Sequence, residues 1–206
     1  MTGSGDLVIG FDLDMTLIDS RPGVAATFAE LNRVLGTSIP GNELAERLGP
    51  TLESEMAAYF PAEEIPAVCD RFREIYATIG VAGCSLLPGA GAAIDAVGAL
   101  GGRTLVVTAK FEPNAHRCLR AVDLAVDHVV GWRHGPQKGE TLLEHGALAY
   151  VGDTPPDIEA AQVADAIAVA VATGPWDAAT LEGHGADVVL GSLLEFPAWL
   201  AAALDR

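Results

Sequence analysis

Two carboxylates stand two positions apart, directly after a short apolar run. Asp12 and Asp14 follow residues 7–9 within the stretch Phe-Asp-Leu-Asp-Met-Thr-Leu. Burying one unpaired carboxylate costs free energy, and a second like charge close by raises that cost. Because a bound cation or a cationic side chain usually offsets it, the pair indicates a functional site at the end of a buried strand rather than a piece of apolar core.

Further polar residues end two more apolar runs. Thr108 follows residues 104–107, and Asp153 and Asp157 follow residues 147–151. Ligands of an open parallel sheet bind beyond the carboxyl ends of its strands, so we expect these side chains at one edge. Carboxylate and hydroxyl oxygens suit Mg²⁺, which keeps waters for a substrate phosphate. The alternative for Asp153 and Asp157 is capping of the helix that follows.

A lysine is expected to supply positive charge for phosphate oxygens. Lys138 is the leading candidate, because it opens a predicted helix. A cation in the first turn opposes the helix dipole, which indicates a second reason for its presence. Lys110, two residues after Thr108, is the competing candidate, and a plain surface lysine is the alternative for Lys138.

Apolar runs alternate with helical patterns over most of the chain, which predicts an α/β, doubly wound parallel sheet. The predicted strands are residues 7–11, 104–107, 127–130, 147–151 and 167–171. The predicted helices are residues 90–100, 113–121, 138–145 and 155–163.

Residues 18–85 break this alternation and show only helical patterns, at residues 22–35, 41–48, 51–59 and 61–79. Ser20 is the expected N-cap of the first helix and Gly36 its expected stop. We therefore predict an α/β core domain of residues 1–17 and 86–206 with an inserted all-helical domain at residues 18–85.

The composition limits the classes of partner that the protein is expected to bind. The 206 residues include 12 Lys and Arg against 28 Asp and Glu, a formal charge of −16. This acidity argues against a nucleic-acid binder and against an anionic membrane surface. Residues 1–6 show no signal peptide, and no apolar run approaches the length of a membrane span. The three cysteines show no paired spacing, so we expect reduced thiols in a cytoplasmic protein.

These motifs together resemble the haloacid dehalogenase (HAD) superfamily of phosphohydrolases. The resemblance rests on Asp-x-Asp-x-Thr at residues 12–16, a strand ending in Thr108, a lysine before the last motif, and Gly-Asp-Thr-x-x-Asp at residues 152–157. Phe-Asp-Leu-Asp-x-Thr-Leu-Ile-Asp-Ser is similar to the phosphoglycolate phosphatase-like branch. The helical insert resembles that branch's C1-type cap.

The resemblance implies a role for each motif residue. Asp12 would be the nucleophile that becomes an aspartyl-phosphate, and Asp14 the general acid and base. Thr108 and Lys138 would hold the transferring phosphoryl group. The implied cofactor is Mg²⁺, with a ligand set drawn from Asp12, the backbone carbonyl of Asp14, Asp153 and Asp157, the last acting at the metal's edge. Such chemistry depends on positioning and charge neutralisation.

Four positions concern the turn and the substrate. Met15 stands where the family most often has Gly, and Ala109 stands where it commonly has Asn beside the substrate. Arg47 and Thr51 lie in the predicted loop between two insert helices, which in the resembling branch reaches over the active site. By this resemblance, Ala109, Arg47 and Thr51 would contact substrate; surface polarity is the alternative for Arg47 and Thr51.

The sequence thus predicts a Mg²⁺-dependent phosphatase of a small phosphorylated metabolite, acting as a monomer or homodimer. A phosphomutase of the β-phosphoglucomutase type and a catalytically idle phosphate-ligand-binding protein on the same fold are the alternatives. Dehalogenase activity is disfavoured, because its chemistry does not need Asp14 or Mg²⁺. A phosphonatase would need a cap lysine, and residues 18–85 contain none.

Overall fold

The computed structural model describes residues 7–205. Residues 1–6 and 206 lie outside the described residues. Both stretches belong to the predicted core domain, and residues 1–6 are the stretch in which the sequence shows no signal peptide. The strands are β1 Val8–Phe11, β2 Ile18–Asp19, β3 Ser85–Leu86, β4 Arg103–Val107, β5 His128–Val130, β6 Ala149–Gly152, β7 Ile167–Val171 and β8 Val188–Leu190. The helices are α1 Arg21–Leu35, α2 Gly41–Glu46, α3 Leu52–Met56, α4 Ile65–Ile75, α5 Ala90–Ala99, α6 Glu112–Ala121, α7 Pro136–Glu144, α8 Pro155–Val163, α9 Ala178–Gly183 and α10 Phe196–Leu204.

Six strands form one sheet in the order β5-β4-β1-β6-β7-β8, and every neighbouring pair is parallel. β1 lies between β4 and β6, with Phe11 opposite Val106 on one side and Val151 on the other. The three strands that precede the acidic and hydroxyl motifs are therefore neighbours. The predicted doubly wound parallel α/β fold is confirmed.

The sheet is buried on both faces. Ile9 and Phe11 belong to one apolar cluster, while Val8, Leu105 and Tyr150 belong to a second one. Because side chains alternate between the faces of a strand, this division means that helices cover the sheet on both sides. Buried parallel strands explain why near-continuous apolar runs located them in the sequence.

The carboxyl-terminal part contains elements that the sequence did not predict: β8, α9 and α10. β8 has only three residues and directly follows Asp187, so its apolar run is too short to stand out. α9 has six residues, and the side chain of Asp177 caps it by accepting from the Thr180 N–H at 2.8 Å.

Helices α1 to α4 lie between β2 and β3, and we call residues 21–80 the helical segment. α1 ends at Gly36, whose φ of 68° is left-handed, as predicted for a helix stop. α4 begins four residues later than its predicted start and continues as one π-helical turn, Tyr76–Gly80. Two-residue strands β2 and β3 pair antiparallel, an element too short to leave a sequence pattern.

The two places where the chain enters and leaves the helical segment lie against each other. A Cβ at Gly23 would lie 2.1 Å from the carbonyl oxygen of Gly80, and one at Gly83 would lie 2.6 Å from the nitrogen of Gly23. Only glycine allows this close approach of backbone to backbone. The two crossings are thereby held together beside β2 and β3.

The helical segment also contacts the α/β part through α4. The Arg73 guanidinium lies 4.9 Å from the ring centre of Trp132 and 5.9 Å from that of Phe111. The Asn114 side chain on α6 donates a hydrogen bond to the Arg73 carbonyl at 3.0 Å. Arg73 is also paired with Glu53 on α3, so one cation joins two insert helices to the surface near α6.

Candidate active site

The loop after β1 turns the motif carboxylates away from the sheet. The Asp12 N–H donates to the Val151 carbonyl at 2.8 Å, which continues the pairing with β6. The Met15 N–H then donates to the Ile18 carbonyl at 2.8 Å and closes the turn. Met15 has a φ of 62°, the left-handed conformation that favours glycine. The turn is formed without the usual residue, and the Thr173 hydroxyl donates to the Met15 carbonyl at 2.6 Å.

Lys138 lies inside the site and contacts two carboxylates. Its Nζ donates to Asp12 Oδ1 at 2.8 Å and to Asp157 Oδ1 at 2.7 Å. Burial lowers the pKa of Lys138, but the negative charges of Asp12 and Asp157 outweigh burial and raise it well above its ordinary value. A cation in the first turn of α7 is opposed by the helix dipole, and these two contacts are the second reason for its presence that was expected from the sequence.

Glycines allow α7 to approach α8 and bring this lysine into reach. A Cβ at Gly139 would lie 2.6 Å from the side chain of Val163 and 2.8 Å from the Ala160 carbonyl oxygen. α7 and α8 therefore pack with little space between their backbones. We therefore expect a larger residue at this position to move Lys138 away from Asp157.

Asp157 has two roles at once. Its Oδ1 accepts from Lys138, and its Oδ2 accepts from the Thr154 hydroxyl at 2.6 Å and from the Thr154 N–H at 3.1 Å. The second set is half of a capping box at the start of α8. Helix capping and the acidic site were stated as alternatives for this residue, and the structure shows both.

Asp153 lies at the end of β6 in a closely fitted position. Its Oδ1 accepts from the Thr16 hydroxyl at 3.1 Å. A Cβ at Gly174 would lie 1.9 Å from Asp153 Oδ2, so the loop after β7 covers this carboxylate with bare backbone. Burial first, and then the negative charges of Asp157 and Asp12, raise the pKa of Asp153 well above its ordinary value.

Three carboxylates form a candidate metal centre. Asp12, Asp153 and Asp157 are each buried, and one oxygen from each lies within 4.8 Å of the others. Burial is the main cause that raises the pKa of Asp12 to about 7, while Lys138 lowers it. One lysine against three carboxylates leaves an excess of negative charge among oxygen ligands, a donor set that suits a hard divalent cation such as Mg²⁺.

Asp14 points to a different set of residues. Its Oδ1 accepts from Lys110 Nζ at 2.7 Å and from the Ser20 hydroxyl. Ser20 occupies the N-cap position of α1 as predicted, but its hydroxyl contacts Asp14 and does not cap the helix. The Lys110 Nζ lies 4.4 Å from the ring centre of Tyr76. A metal contact through the backbone carbonyl of Asp14 stays a prediction.

Thr108 and Ala109 lie at the end of β4. Thr108 is 1% exposed, and its Oγ1 accepts from the Lys110 N–H at 3.2 Å. Ala109 is half-buried in the turn that follows and offers no polar side-chain atom. β4 is next to β1, so both residues lie at the sheet edge that carries the carboxylates. Their contact with substrate stays a prediction.

Arg47 and Thr51 are engaged within the helical segment. Arg47 pairs with Glu55 at 2.7 Å, and its side chain is 61% exposed. Thr51 caps α3 by accepting from the Ser54 N–H at 3.2 Å. Both local contacts account for these side chains, and their role in substrate binding stays a prediction.

The pairing of Lys110 with Asp14 was not foreseen, since Lys110 was considered only for phosphate binding. The two residues are 96 positions apart, and no local pattern connects them. The contact could have been predicted from the neighbouring ends of β1 and β4, because a lysine just past the end of one strand can reach a carboxylate just past the end of the next. Thr16 had been noted within the motif without its partner Asp153.

Comparison with protein families agrees with this arrangement. The family model described as haloacid dehalogenase-like hydrolase matches residues 9–171, which include β4, β6, β7 and every residue of the acidic site. No helix among residues 7–205 is long and apolar enough to cross a membrane.

Solved structures share the fold. A haloacid dehalogenase-like family hydrolase from Streptococcus pneumoniae superposes with a TM-score of 0.79 at 23% identity, over 95% of this chain and 98% of that one. A chain described as a predicted phosphatase from Clostridium acetobutylicum gives a TM-score of 0.81 at 20% identity, over 97% and 100%. CbbY from Rhodobacter sphaeroides, in complex with phosphate, gives 0.75 at 19%, over 93% and 96%.

Curated relatives carry a different name. Tyrosine-protein kinase PtkA from Mycobacterium tuberculosis and from Mycobacterium bovis is 28% identical in an alignment over 173 residues that covers 77% of this chain. The match spans 60% of the length of those relatives. Family membership therefore rests on the family model, which matches residues 9–171, and the solved structures show that the fold is shared.

Proposed function

This chain belongs to the haloacid dehalogenase-like hydrolase family, and we propose that it is a Mg²⁺-dependent phosphatase of a small phosphomonoester. The observation that carries the proposal is the unequal surroundings of the two motif carboxylates. Asp12 lies among buried carboxylates with Lys138, whereas Asp14 faces Lys110 and Ser20. A reaction that needs one carboxylate to attack and another to move protons requires such a difference.

In the first step, an oxygen of Asp12 attacks phosphorus, and the bond from phosphorus to the leaving oxygen breaks. Lys138 Nζ, already bonded to Asp12, balances charge on the phosphoryl oxygens together with the Thr108 hydroxyl. Asp14 gives its proton to the leaving oxygen. Bound Mg²⁺ would be held by Asp12, Asp153 and Asp157 and would supply neutralisation of phosphate charge.

In the second step, Asp14 takes a proton from a water molecule, whose oxygen attacks phosphorus and releases Asp12 and inorganic phosphate. The hydrogen bond from Lys110 Nζ to Asp14 Oδ1, 2.7 Å long, holds this side chain in place beside the site. Asp14 is partly exposed, and it contacts Ser20 at the N-cap of α1, where the helical segment begins.

The helical segment is proposed to act as a cap, with residues 18–85 as its domain and residues 1–17 and 86–206 as the core. Two observations support this division: the pairing of β2 with β3 at the two chain crossings, and the Arg73 contacts between α4 and the α6 side of the sheet. A cap that closes over the site excludes bulk water during phosphoryl transfer and opens for release.

Substitution of Asp12 by Asn tests the proposal. We expect Asp12→Asn to lower Mg²⁺-dependent hydrolysis of 4-nitrophenyl phosphate by about a thousandfold or more, because it removes the nucleophile. Asp95→Asn, an exposed acid on α5, is the control and should retain full activity. Phosphate release is measured with Mg²⁺ and with EDTA. Full activity of Asp12→Asn, or undiminished activity in EDTA, would overturn the assignment.

A second candidate is transfer of the phosphoryl group to an acceptor other than water. The name of the curated relatives favours a tyrosine acceptor, and a phosphomutase would use a sugar hydroxyl. Both would share the attack by Asp12 and differ only in what accepts from it. Product analysis with a hexose 1-phosphate, and with labelled ATP plus a tyrosine peptide, distinguishes them: free phosphate alone supports the phosphatase.

A further inference from the structure

The three thiols of the chain are in two different surroundings. Cys69 lies alone and buried in α4, whereas the sulfurs of Cys84 and Cys118 are 3.4 Å apart. Cys84 lies on the turn between the π-helical turn and β3, at the second crossing of the helical segment. Cys118 lies on α6 of the α/β part. The close pair therefore joins the crossing to the core.

Tyr76 completes this cluster. Its hydroxyl lies 3.3 Å from Cys84 Sγ and 3.7 Å from Cys118 Sγ. The same ring lies under the Lys110 ammonium group, which is bonded to Asp14. The thiol pair is thus one side chain away from the Asp14 half of the site, on the side where the helical segment meets the core.

The two thiols are suited to different steps of a redox reaction. A hydrogen bond from Cys118 is the main cause that lowers the pKa of Cys84 to about 7 against the effect of burial, and it raises the pKa of Cys118. Cys84 is half-buried, and Cys118 is buried. The thiolate is the reactive form of cysteine, so Cys84 is the thiol that meets an oxidant and Cys118 the one that follows.

We propose that Cys84 and Cys118 form a reversible disulfide on contact with a peroxide, which ties the second crossing of the helical segment to α6. A disulfide requires about 2.05 Å between sulfurs, so the two atoms must approach by a little over one ångström. Cys84 lies on a turn rather than inside a regular element, which allows this movement without breaking a helix or strand.

The chemistry balances with one peroxide molecule. The Cys84 sulfur attacks a peroxide oxygen, the oxygen–oxygen bond breaks, and the first water leaves with a proton from solvent, which gives a sulfenic acid. The Cys118 sulfur then attacks the Cys84 sulfur, the sulfur–oxygen bond breaks, and the second water leaves. The two thiols lose two electrons and two protons, and the peroxide gains them. A small dithiol reverses the reaction by exchange.

The disulfide has a consequence for the cap. It fixes the turn before β3 against α6, so the helical segment loses the freedom to move at one of its two crossings. We expect slower turnover of the oxidised protein, because cap opening is needed for substrate entry and product release. This consequence rests on the proposed function, whereas the formation of the disulfide does not.

The first experiment uses the full chain and mass spectrometry. The reduced protein is treated with equimolar hydrogen peroxide, free thiols are alkylated, and peptides are mapped without reduction. The expected result is loss of two hydrogen atoms, a linked peptide containing Cys84 and Cys118, alkylation of Cys69, and full reversal by dithiothreitol. The control variant Cys69→Ser should behave like the parent, while Cys84→Ser and Cys118→Ala should form no intramolecular link.

Oxygen addition at Cys84 without a link, or a link that includes Cys69, overturns the proposal. Circular dichroism establishes that the variants are folded, and Cys84→Ser at the half-exposed position keeps the test valid if Cys118→Ala is unfolded. Hydrogen exchange gives a readout independent of activity: amides of residues 80–84 should exchange at least several-fold more slowly in the oxidised protein. Unchanged exchange contradicts the restraint of the crossing.

Turnover is measured last, on oxidised and reduced protein of verified thiol state. A several-fold fall on oxidation, restored by dithiothreitol and missing in Cys84→Ser, supports the effect on the cap. Equal turnover in both states overturns that effect. If the reduced protein has no turnover on any phosphate ester, the proposed function fails while the mass and exchange results still decide the disulfide.

Discussion

The two motif carboxylates lie in two regions that differ in what holds them. In the inner region, Lys138 joins Asp12 to Asp157, and the Asp12 side chain is 10% exposed. In the outer region, Lys110 contacts Asp14, whose side chain is 20% exposed. The inner contacts run between elements of the sheet and its helices, whereas Asp14 and Lys110 also touch the entry and exit of the helical segment.

This difference indicates which part of the site is held by the α/β part alone. Asp12, Lys138 and Asp157 stay in place as long as β1, α7 and α8 do, because every partner belongs to the α/β part. The position of Lys110 depends on Tyr76 at the end of the helical segment. The inner region is therefore suited to binding a metal and a phosphoryl group, and the outer region to responding to the proposed movement of the helical segment.

The largest expected effect comes from removing the two lysines separately. Lys138→Met leaves Asp12 and Asp157 buried without their cation and should lower the free energy of unfolding by about 3–5 kcal/mol. Lys110→Met should lower it by about 1–2 kcal/mol, because Asp14 keeps Ser20 and contact with water. Urea denaturation in EDTA compares the matched variants. Equal losses would contradict the distinction between the two regions.

Metal binding should stabilise the folded protein through the carboxylates of the inner region. We expect Mg²⁺ at a hundred times its dissociation constant to stabilise the folded protein by about 2.7 kcal/mol. Asp153→Asn should lose most of this gain. In EDTA the same variant should be at least as stable as the parent, because it removes one of three crowded buried carboxylates whose charged form is disfavoured.

Thermal unfolding with Mg²⁺ and with EDTA measures this prediction. Asp95→Asn is again the control and should gain as much as the parent. Stabilisation of Asp153→Asn by Mg²⁺ to the same extent as the parent would show that the carboxylate cluster is not the metal centre.

The third comparison concerns the crossing beside the outer region. A Cβ at Gly83 would lie 2.6 Å from the nitrogen of Gly23, so Gly83→Ala must displace backbone and should cost about 1–3 kcal/mol. Gly98→Ala is the matched control in α5, where a Cβ meets nothing within 4 Å, and it should stabilise by about 0.5–1 kcal/mol.

Measuring kcat of the Gly83→Ala variant tests whether the crossing also affects the active site. Gly83→Ala should lower kcat several-fold while keeping the stabilisation by Mg²⁺. Gly83 packs against Gly23, whereas the inner carboxylates are held by Lys138 on α7. Loss of Mg²⁺ stabilisation in Gly83→Ala would mean that the two regions are coupled rather than separate.

The sequence allowed prediction of those features that follow from regular strands. Buried parallel strands produce apolar runs, and the residue after each run must lie at the carboxyl edge, so Asp12, Thr108 and Asp153 could be placed before the structure was known. Lys138 could be singled out because its charge opposes the helix dipole without an obvious reason. Each of these inferences depends on a local pattern.

Other features depend on contacts between distant parts of the chain. β8 and the pair β2 and β3 are too short to show a period. The approach of Cys84 to Cys118 depends on how the helical segment packs on α6. No spacing in the sequence encodes that packing, because many insert positions would satisfy the same apolar pattern.

Met15 shows which amino acids suit the turn that follows β1. Its backbone has the left-handed φ of 62°, while its side chain is only 2% exposed. Glycine would relieve the backbone but leave a cavity, and a β-branched residue would fill the space but resist the conformation. The position therefore accepts two opposite solutions, the smallest residue or a long unbranched one, and selects against the intermediate sizes between them.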